Sequence, residues 1–339
     1  MHTKLLKNTI EQLFANGKGI LAMDESTPTI DKRFSANGIP QTVEMRRKYR
    51  ELIATTAGLN ESIGGAILYD ETIRQQTKNG EPIASVLINA GIIPGIKVDM
   101  GAKALAGFPN EKITEGLDGL RERLVDYRNM GARFAKWRAV ITIGDGIPTK
   151  TCIDANAHAL ARYAALCQEA GLVPIVEPEV LMDGNHSLHR CYEVTEHALK
   201  ALFEALYHFR VDLQGIILKP NMVLPGKECS DKNSIDEVAA ATVKCFLSAV
   251  PAAVPAIAFL SGGQSPQQAS QHLHAINKDY IDRLPWIVAF SFARAIQQPC
   301  LEAWKGKDAN VKIAQKLLYH RAKLSAAARR GEYKSSMEE

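Results

Sequence analysis

The stretch NAHALARYAALCQEAGLVPIVE, residues 156–177, sets out the unit from which the chain is built. Ala159, Leu160, Tyr163, Ala164 and Cys167 recur at the three-and-four spacing of one buried helical face, and Gly171 offers a C-terminal cap. Val173–Val176 then form a short apolar run that stops at an acidic residue, Glu177. The same design, an apolar run ending on a polar residue and followed by a helical pattern, occurs eight times. The other seven are Gly19–Met23 before Asp24, Gly65–Tyr69 before Asp70, Ile92–Ile96 before Lys97, Arg133–Ala135 before Lys136, Gly215–Leu218 before Lys219, Ala256–Leu260 before Ser261, and Ile287–Phe290 before Ser291. Ser265 followed by Pro266 supplies an N-cap and first-turn pair to start a helix after the seventh run.

Eight alternations of strand and helix, without a Pro/Ser-rich linker or a low-complexity break, predict an α/β protein. The architecture expected is a single (β/α)8 TIM barrel spanning 1–339. Its βα units occupy about 19–310, with a helix ahead of them and a helical extension with a short tail over about 311–339. The competing architecture, an open doubly wound sheet, would more readily carry a GxGxxG after the first strand, and the sequence has none. In a barrel the chemistry sits at the C-terminal ends of the strands. The polar residues that end these runs fall on that face.

Composition narrows the function classes. The 339 residues carry a net charge of only +4, with no run of five or more basic residues, so nucleic acid is not an expected partner. The N-terminus is polar, with no apolar stretch fit for a signal peptide or a membrane span, which predicts a soluble, cytoplasmic protein or a mature organellar form. Six separated cysteines (Cys152, Cys167, Cys191, Cys229, Cys245, Cys300), with no CxxC pair, read as buried reduced thiols. A metal site is not expected. His186 and His189 form an isolated HxxH, and His272 and His274 stand two apart on an expected helix, pointing to different faces.

Three of the runs end in lysine: Lys97, Lys136 and Lys219. One such lysine is an ordinary solvated strand end, but three on one barrel face, joined by Glu177 and Asp24, point to carbonyl chemistry. A lysine attacks a carbonyl as the neutral amine, so a working site must counter its ordinary pKa of about 10.4. Strands four and six bracket strand five, so Lys136 and Lys219 are expected to approach across the mouth, each disfavouring the other's protonation. Pro220 restrains the backbone beside Lys219. In VEPE, Glu177 and Glu179 lie two apart on one extended strand and share a face, which suits successive proton transfers; Glu179 is equally well read as a partner for a cation. Ser261-Gly262-Gly263 after the seventh run and Arg294 after the eighth form an expected phosphate site. Ser26, Arg33 and Lys97 are placed to meet a second anionic end. Two phosphate sites flanking an amine describe a bisphosphorylated ketose.

The stretches GKGILAMDEST (17–27), GIKVDMG (95–101), GLDGLRERL (116–124), GARFAKWR (131–138), VPIVEPEVL (173–181), LKPNMV (218–223) and FLSGGQS (259–265) together resemble the class I fructose-bisphosphate aldolase family, nearly end to end. The resemblance implies that Lys219 forms the Schiff base and that Glu177 is the principal acid–base residue. It implies supporting roles for Asp24 and Lys136, and Arg138 near the open-chain substrate. It assigns Ser261, Gly262, Gly263 and Arg294 to the ketone-side phosphate, and Ser26, Arg33, Arg46 and Lys97 to the far phosphate and substrate. No metal or organic cofactor is implied, and a homotetramer is. The chain departs from animal members at Pro28 and Thr29, at SFAR before the eighth helix, and at its end, where Tyr333 is the last tyrosine and no tail ending in tyrosine follows. The alternatives are an aldolase preferring sedoheptulose bisphosphate or a ketose monophosphate, or a non-catalytic barrel scaffold.

Overall fold

The computed structural model describes residues 3–339. Eight parallel strands close into a barrel: β1 (Gly19–Ala22), β2 (Ile63–Leu68), β3 (Ile93–Lys97), β4 (Phe134–Ile141), β5 (Val173–Val180), β6 (Ile217–Leu218), β7 (Ala256–Phe259) and β8 (Ile287–Phe292). Each strand pairs with its sequence neighbours, and β1 pairs with β8 to seal the ring. At least one helix follows each strand, and a two-stranded ribbon, Ala102–Ala104 with Lys112–Thr114, is inserted after β3. The helix Val311–Arg329 packs outside against Arg294–Trp304.

The barrel has two separate hydrophobic cores, and strand parity decides which side chain joins which. Ile20, Ala22, Ile67, Phe134, Val173, Ile175, Ile217, Ala256, Ala258 and Ala289 point inward and form one cluster with Leu6, Ile10, Leu13 and Phe14 of the N-terminal helix Thr3–Phe14. That helix plugs the floor of the barrel. Residues of the opposite parity, such as Leu21, Trp137, Val176, Leu218, Ile257 and Phe290, face outward into the layer beneath the helices. Successive side chains of a strand alternate between faces. Asp24, Lys136, Glu177, Lys219 and Ser291 therefore continue the inward rows of Ala22, Phe134, Ile175, Ile217 and Ala289.

The boundaries depart from the sequence reading in an informative way. Lys136 and Glu177 do not end their strands: β4 and β5 each run eight residues and carry these charges in their interiors. An apolar run was expected to stop at its first charge because burying a lone charge is costly; inside the barrel the charges pair with one another instead. β6 is shorter than expected because 213–215 form a 3-10 turn and Pro220 has no N–H to extend the ladder. Lys219 is still held in register, its N–H donating to Val176 O at 2.8 Å.

The helix read from residue 156 starts earlier, at Lys150, with the Thr149 hydroxyl capping Cys152 N–H; it ends at Glu169, and Gly171 adopts the expected positive φ of 74°. Ser265 caps Pro266–Tyr280 through a reciprocal capping box with Gln268. All six cysteines are unpaired, five of them buried and Cys229 half-buried. His272 donates from Nδ1 to Gln264 Oε1 at 2.6 Å, while His274 turns toward the Tyr333 ring.

Phe134, fully buried among small interior residues, anchors the lower barrel. Phe134→Ala is expected to cost about 3–5 kcal/mol in a urea titration. A loss under about 1 kcal/mol would show that the interior is not packed around this ring.

Candidate active site

At the C-terminal end of the barrel the inward rows change from apolar to charged within one step. Asp24, Lys136, Glu177 and Lys219 are each at most 7 % exposed and stand together. Lys136 Nζ lies 2.8 Å from Asp24 Oδ2 and 3.1 Å from Glu177 Oε2, and Lys219 Nζ lies 3.3 Å from Glu177 Oε1. The set is electrically balanced: two cations, two anions. A buried charge deprived of its partner costs several kcal/mol, so each member depends on the others.

The expected confrontation of Lys136 with Lys219 is not what the fold builds. Glu177 bridges the two ammonium groups. Burial works against the Lys136 charge, but Asp24 and then Glu177 outweigh it and push its pKa well above the ordinary lysine value, opposite to the direction anticipated from lysine–lysine repulsion. Burial likewise penalises the Asp24 carboxylate, yet Lys136 and then Lys219 prevail and lower its pKa to about 2. Glu177 Oε2, although within ion-pair distance of Lys136, finds no aligned hydrogen-bond donor among the described residues. A buried carboxylate oxygen with free accepting capacity beside an amine is a suitable proton acceptor.

One layer nearer solvent, the same parity brings Arg138 beside Glu179, Nε to Oε2 at 2.5 Å, so Glu179 holds a cation. Lys97 is held by Asp99, at 2.6 Å to its carboxylate and 2.8 Å to its carbonyl. Arg33 reaches Glu25 at 2.5 Å, and the nearly fully buried Arg50 takes the other Glu25 oxygen at 2.8 Å. Gln297 completes this carboxylate's shell, bonding Glu25 Oε1 at 2.9 Å while accepting from Tyr49.

On the opposite rim, Gly262 takes a positive φ of 54° in the turn after β7, and Arg294 donates to its carbonyl. Desolvation and then the nearby charges of Arg33 and Arg138 lower the Arg294 pKa. Cations crowded against one another in this way are stabilised by an incoming anion. Arg33 thus lies near enough to Arg294 for the two charges to act on each other, and Ser26 opens the helix Thr27–Ala36 and contacts Thr29 at 3.1 Å. Arg46 is bound bidentately to Glu71 at 2.8 Å and to Asp31 at 3.0 Å.

Three further residues belong to this assembly and were given no role from the sequence, although Ser291 was placed on this face as the end of the eighth run. Asp99 holds Lys97 and accepts from Arg138 N–H at 3.2 Å. Glu25 aims Arg33. Ser291 projects inward with a buried hydroxyl that has no partner among the described residues. Parity along VAFSF, continuing from Ala289, was the available signal for Ser291; nothing local marked Glu25 as a double arginine anchor. Among the described residues no three His, Cys, Asp or Glu side chains converge as a metal would require.

An amine bridged to a carboxylate at the closed end of a barrel mouth, with cations around the rim, can form and break an imine with a phosphorylated carbonyl compound, as lysine-dependent barrel lyases do. Residues 5–339 match the family model described as fructose-bisphosphate aldolase class-I. The chain is 56% identical over 335 residues to a probable fructose-bisphosphate aldolase class 1 of Xanthomonas campestris pv. campestris, covering 98% of this chain and all of the relative. It is 50% identical over 318 residues to the cytosolic fructose-bisphosphate aldolase 4 of Arabidopsis thaliana, covering 94% of this chain and 81% of that one. It superposes on fructose-bisphosphate aldolase from Plasmodium falciparum, solved with TRAP and a small-molecule inhibitor, with a TM-score of 0.96 and 46% identity over 98% of this chain and 96% of that one. The chain belongs to the class I fructose-bisphosphate aldolase family.

The Asp24 carboxylate yields a pH prediction. Its folded pKa, about 2, lies below the ordinary 3.8, so its contribution to stability is complete above about pH 4 and is lost as pH falls through about 2. Wild type should exceed Asp24→Asn by about 2 kcal/mol near neutrality, and the gap should shrink toward pH 2 in parallel denaturant titrations. A gap independent of pH would show that Asp24 is not held ionised by the lysines.

Proposed function

We propose that this barrel reversibly cleaves fructose 1,6-bisphosphate to dihydroxyacetone phosphate and glyceraldehyde 3-phosphate through an imine on Lys219. The observation that carries the reading is the Lys219–Glu177–Lys136–Asp24 cluster at the base of a cation-rimmed mouth. Lys136 is held cationic, which leaves Glu177 as the group placed to take the proton that Lys219 must give up. The neutral amine adds to the C2 ketone, the carbinolamine loses water, and a protonated imine results.

That cation is the electron sink. Glu177 is suited to accept the proton of the C4 hydroxyl. The C3–C4 bond breaks, its electron pair flows into the imine to give an enamine, and glyceraldehyde 3-phosphate leaves. Protonation at C3 and hydrolysis of the imine release dihydroxyacetone phosphate and restore Lys219. Lys136, cationic and 2.8 Å from Asp24, is positioned to stabilise negative charge developing on the substrate oxygens. The Ser291 hydroxyl, inward and unpartnered, is a further donor toward the same space. Ser261, Gly262, Gly263 and Arg294 hold the phosphate on the ketone side; Ser26, Arg33 and Lys97 serve the other end, with Arg138 over the open chain and Glu179 orienting Arg138. No step requires a metal or an organic cofactor. Family resemblance also supports a homotetramer, which sedimentation velocity can check.

Borohydride added with dihydroxyacetone phosphate should fix the three-carbon unit to Lys219, as peptide mapping would reveal. Cleavage activity should persist in a chelator and fall by at least about 10⁴-fold in Lys219→Ala. Label on another lysine, or activity abolished by the chelator, would overturn the reading. Glu177→Gln is expected to lower kcat by about 10²–10⁴-fold with a smaller change in KM, because the lost proton transfers are made only on the reaction path.

A further inference from the structure

The loop after β6, beyond Lys219 and Pro220, is tied to the loop after β5 by three backbone bonds. Gly226 N–H donates to His186 O at 2.8 Å, Lys227 N–H to Met182 O at 2.8 Å, and Glu228 N–H to Gly184 O at 2.9 Å. The two loops run so close that a methyl group at Gly226 would fall 2.2 Å from Gly184 O. They act as one flap whose position is fixed by its own ladder. The flap lays the Lys227 side chain on the glycine turn of the ketone-side rim. A methyl group at Gly263 would sit 2.3 Å from Lys227 Cε, 3.0 Å from Lys227 Nζ and 3.1 Å from Met182 Sδ. The Lys227 stem thus occupies the space a side chain at 263 would need, and its ammonium ends beside the turn that is suited to an anion.

In this structure the ammonium is held 2.9 Å from Asp183 Oδ1, a pair in which both side chains are largely exposed, 44% and 66%. Such a pair contributes little to stability and exchanges readily. Asp183 also lies close enough to Arg294 for its charge to act on that guanidinium. One exposed carboxylate thus stands among the cations of the rim, where a phosphate dianion competes for them with more charge and more acceptor oxygens.

We propose that Lys227 is a binding residue for the ketone-side phosphate, its ammonium exchanging Asp183 for a phosphate oxygen seated over Ser261–Gly263. This rests on the assignment of that rim to the C1 phosphate of the ketose. It makes the flap a specificity element: a substrate with an anionic group at C1 draws Lys227 inward, and one without it leaves the lysine on Asp183.

Lys227→Met keeps the stem against Gly263 and removes the charge, and Lys227→Arg keeps the charge. Turnover of fructose 1,6-bisphosphate and of fructose 1-phosphate by the full-length chain separates the two phosphate ends. Lys227→Met should lower kcat/KM about tenfold on both substrates, mainly through KM, while Lys227→Arg stays within about threefold of wild type. Unchanged kinetics on both, a loss confined to the bisphosphate, or a fall in kcat at constant KM that arginine does not rescue would each overturn the assignment. Borohydride trapping of the wild type with dihydroxyacetone phosphate tests the underlying reading separately. If trapping fails, both ideas fall; if it succeeds and Lys227→Met behaves as wild type, only the role of Lys227 is lost.

Discussion

The structure turns on one carboxylate, Glu177, wedged between two buried ammonium groups. Without it, Lys136 and Lys219 would sit in a low-dielectric interior with Asp24 as the remaining counter-ion of the cluster, and burial would act against their charges. With it, the base of the mouth holds two lysines and two carboxylates whose formal charges balance. That balance ties the cluster to the fold. It needs β1, β4, β5 and β6 in one register, and it needs the apolar floor of Ile20, Phe134, Ile175 and Ile217 beneath it, plugged by Leu13 and Phe14, to keep water out.

The same logic extends outward through carboxylates that aim cations. Asp99 takes Lys97, Glu179 takes Arg138, and Glu25 takes both Arg33 and Arg50. Burial opposes the charge on Glu25, and the two arginines more than compensate, so its pKa falls below the usual carboxylate range. Each pair fixes a long, flexible cation in advance of any ligand, which removes part of the ordering entropy that binding a phosphate would otherwise cost. The pairs also grade with depth. Those at the base are sealed from solvent, whereas Lys227 and Asp183 at the rim are open. An interaction that must yield to substrate belongs at the rim, where water screens it and its loss costs little.

Much of this was legible from residue order. Eight apolar runs, each followed by a helical pattern, prescribe a barrel, and the period-two alternation of strands places Asp24, Lys136, Glu177 and Lys219 on one inner face. The VEPE spacing correctly put Glu177 and Glu179 on the same side of β5. Strand ends were less legible: a charge in a run looks like its end until a partner from another strand is known, which is why β4 and β5 proved longer than read. The partner that matters most to Lys136 was also hidden. Proximity of two lysines suggested repulsion, while the fold inserts carboxylates that reverse the sign.

What the sequence determined by itself is the set of local facts: which residues alternate, where the helix capped by Ser265 begins, which lysines ride on apolar runs. These follow from backbone geometry and need no knowledge of distant residues. Tertiary structure alone decided which charge meets which. Asp24 reaches Lys136 across more than a hundred residues, Glu25 collects two arginines and a distant glutamine, and Lys227 comes to rest on Gly263. Electrostatic energy depends on separation in space and on the burial of both partners, and neither quantity exists until the ring of strands has closed.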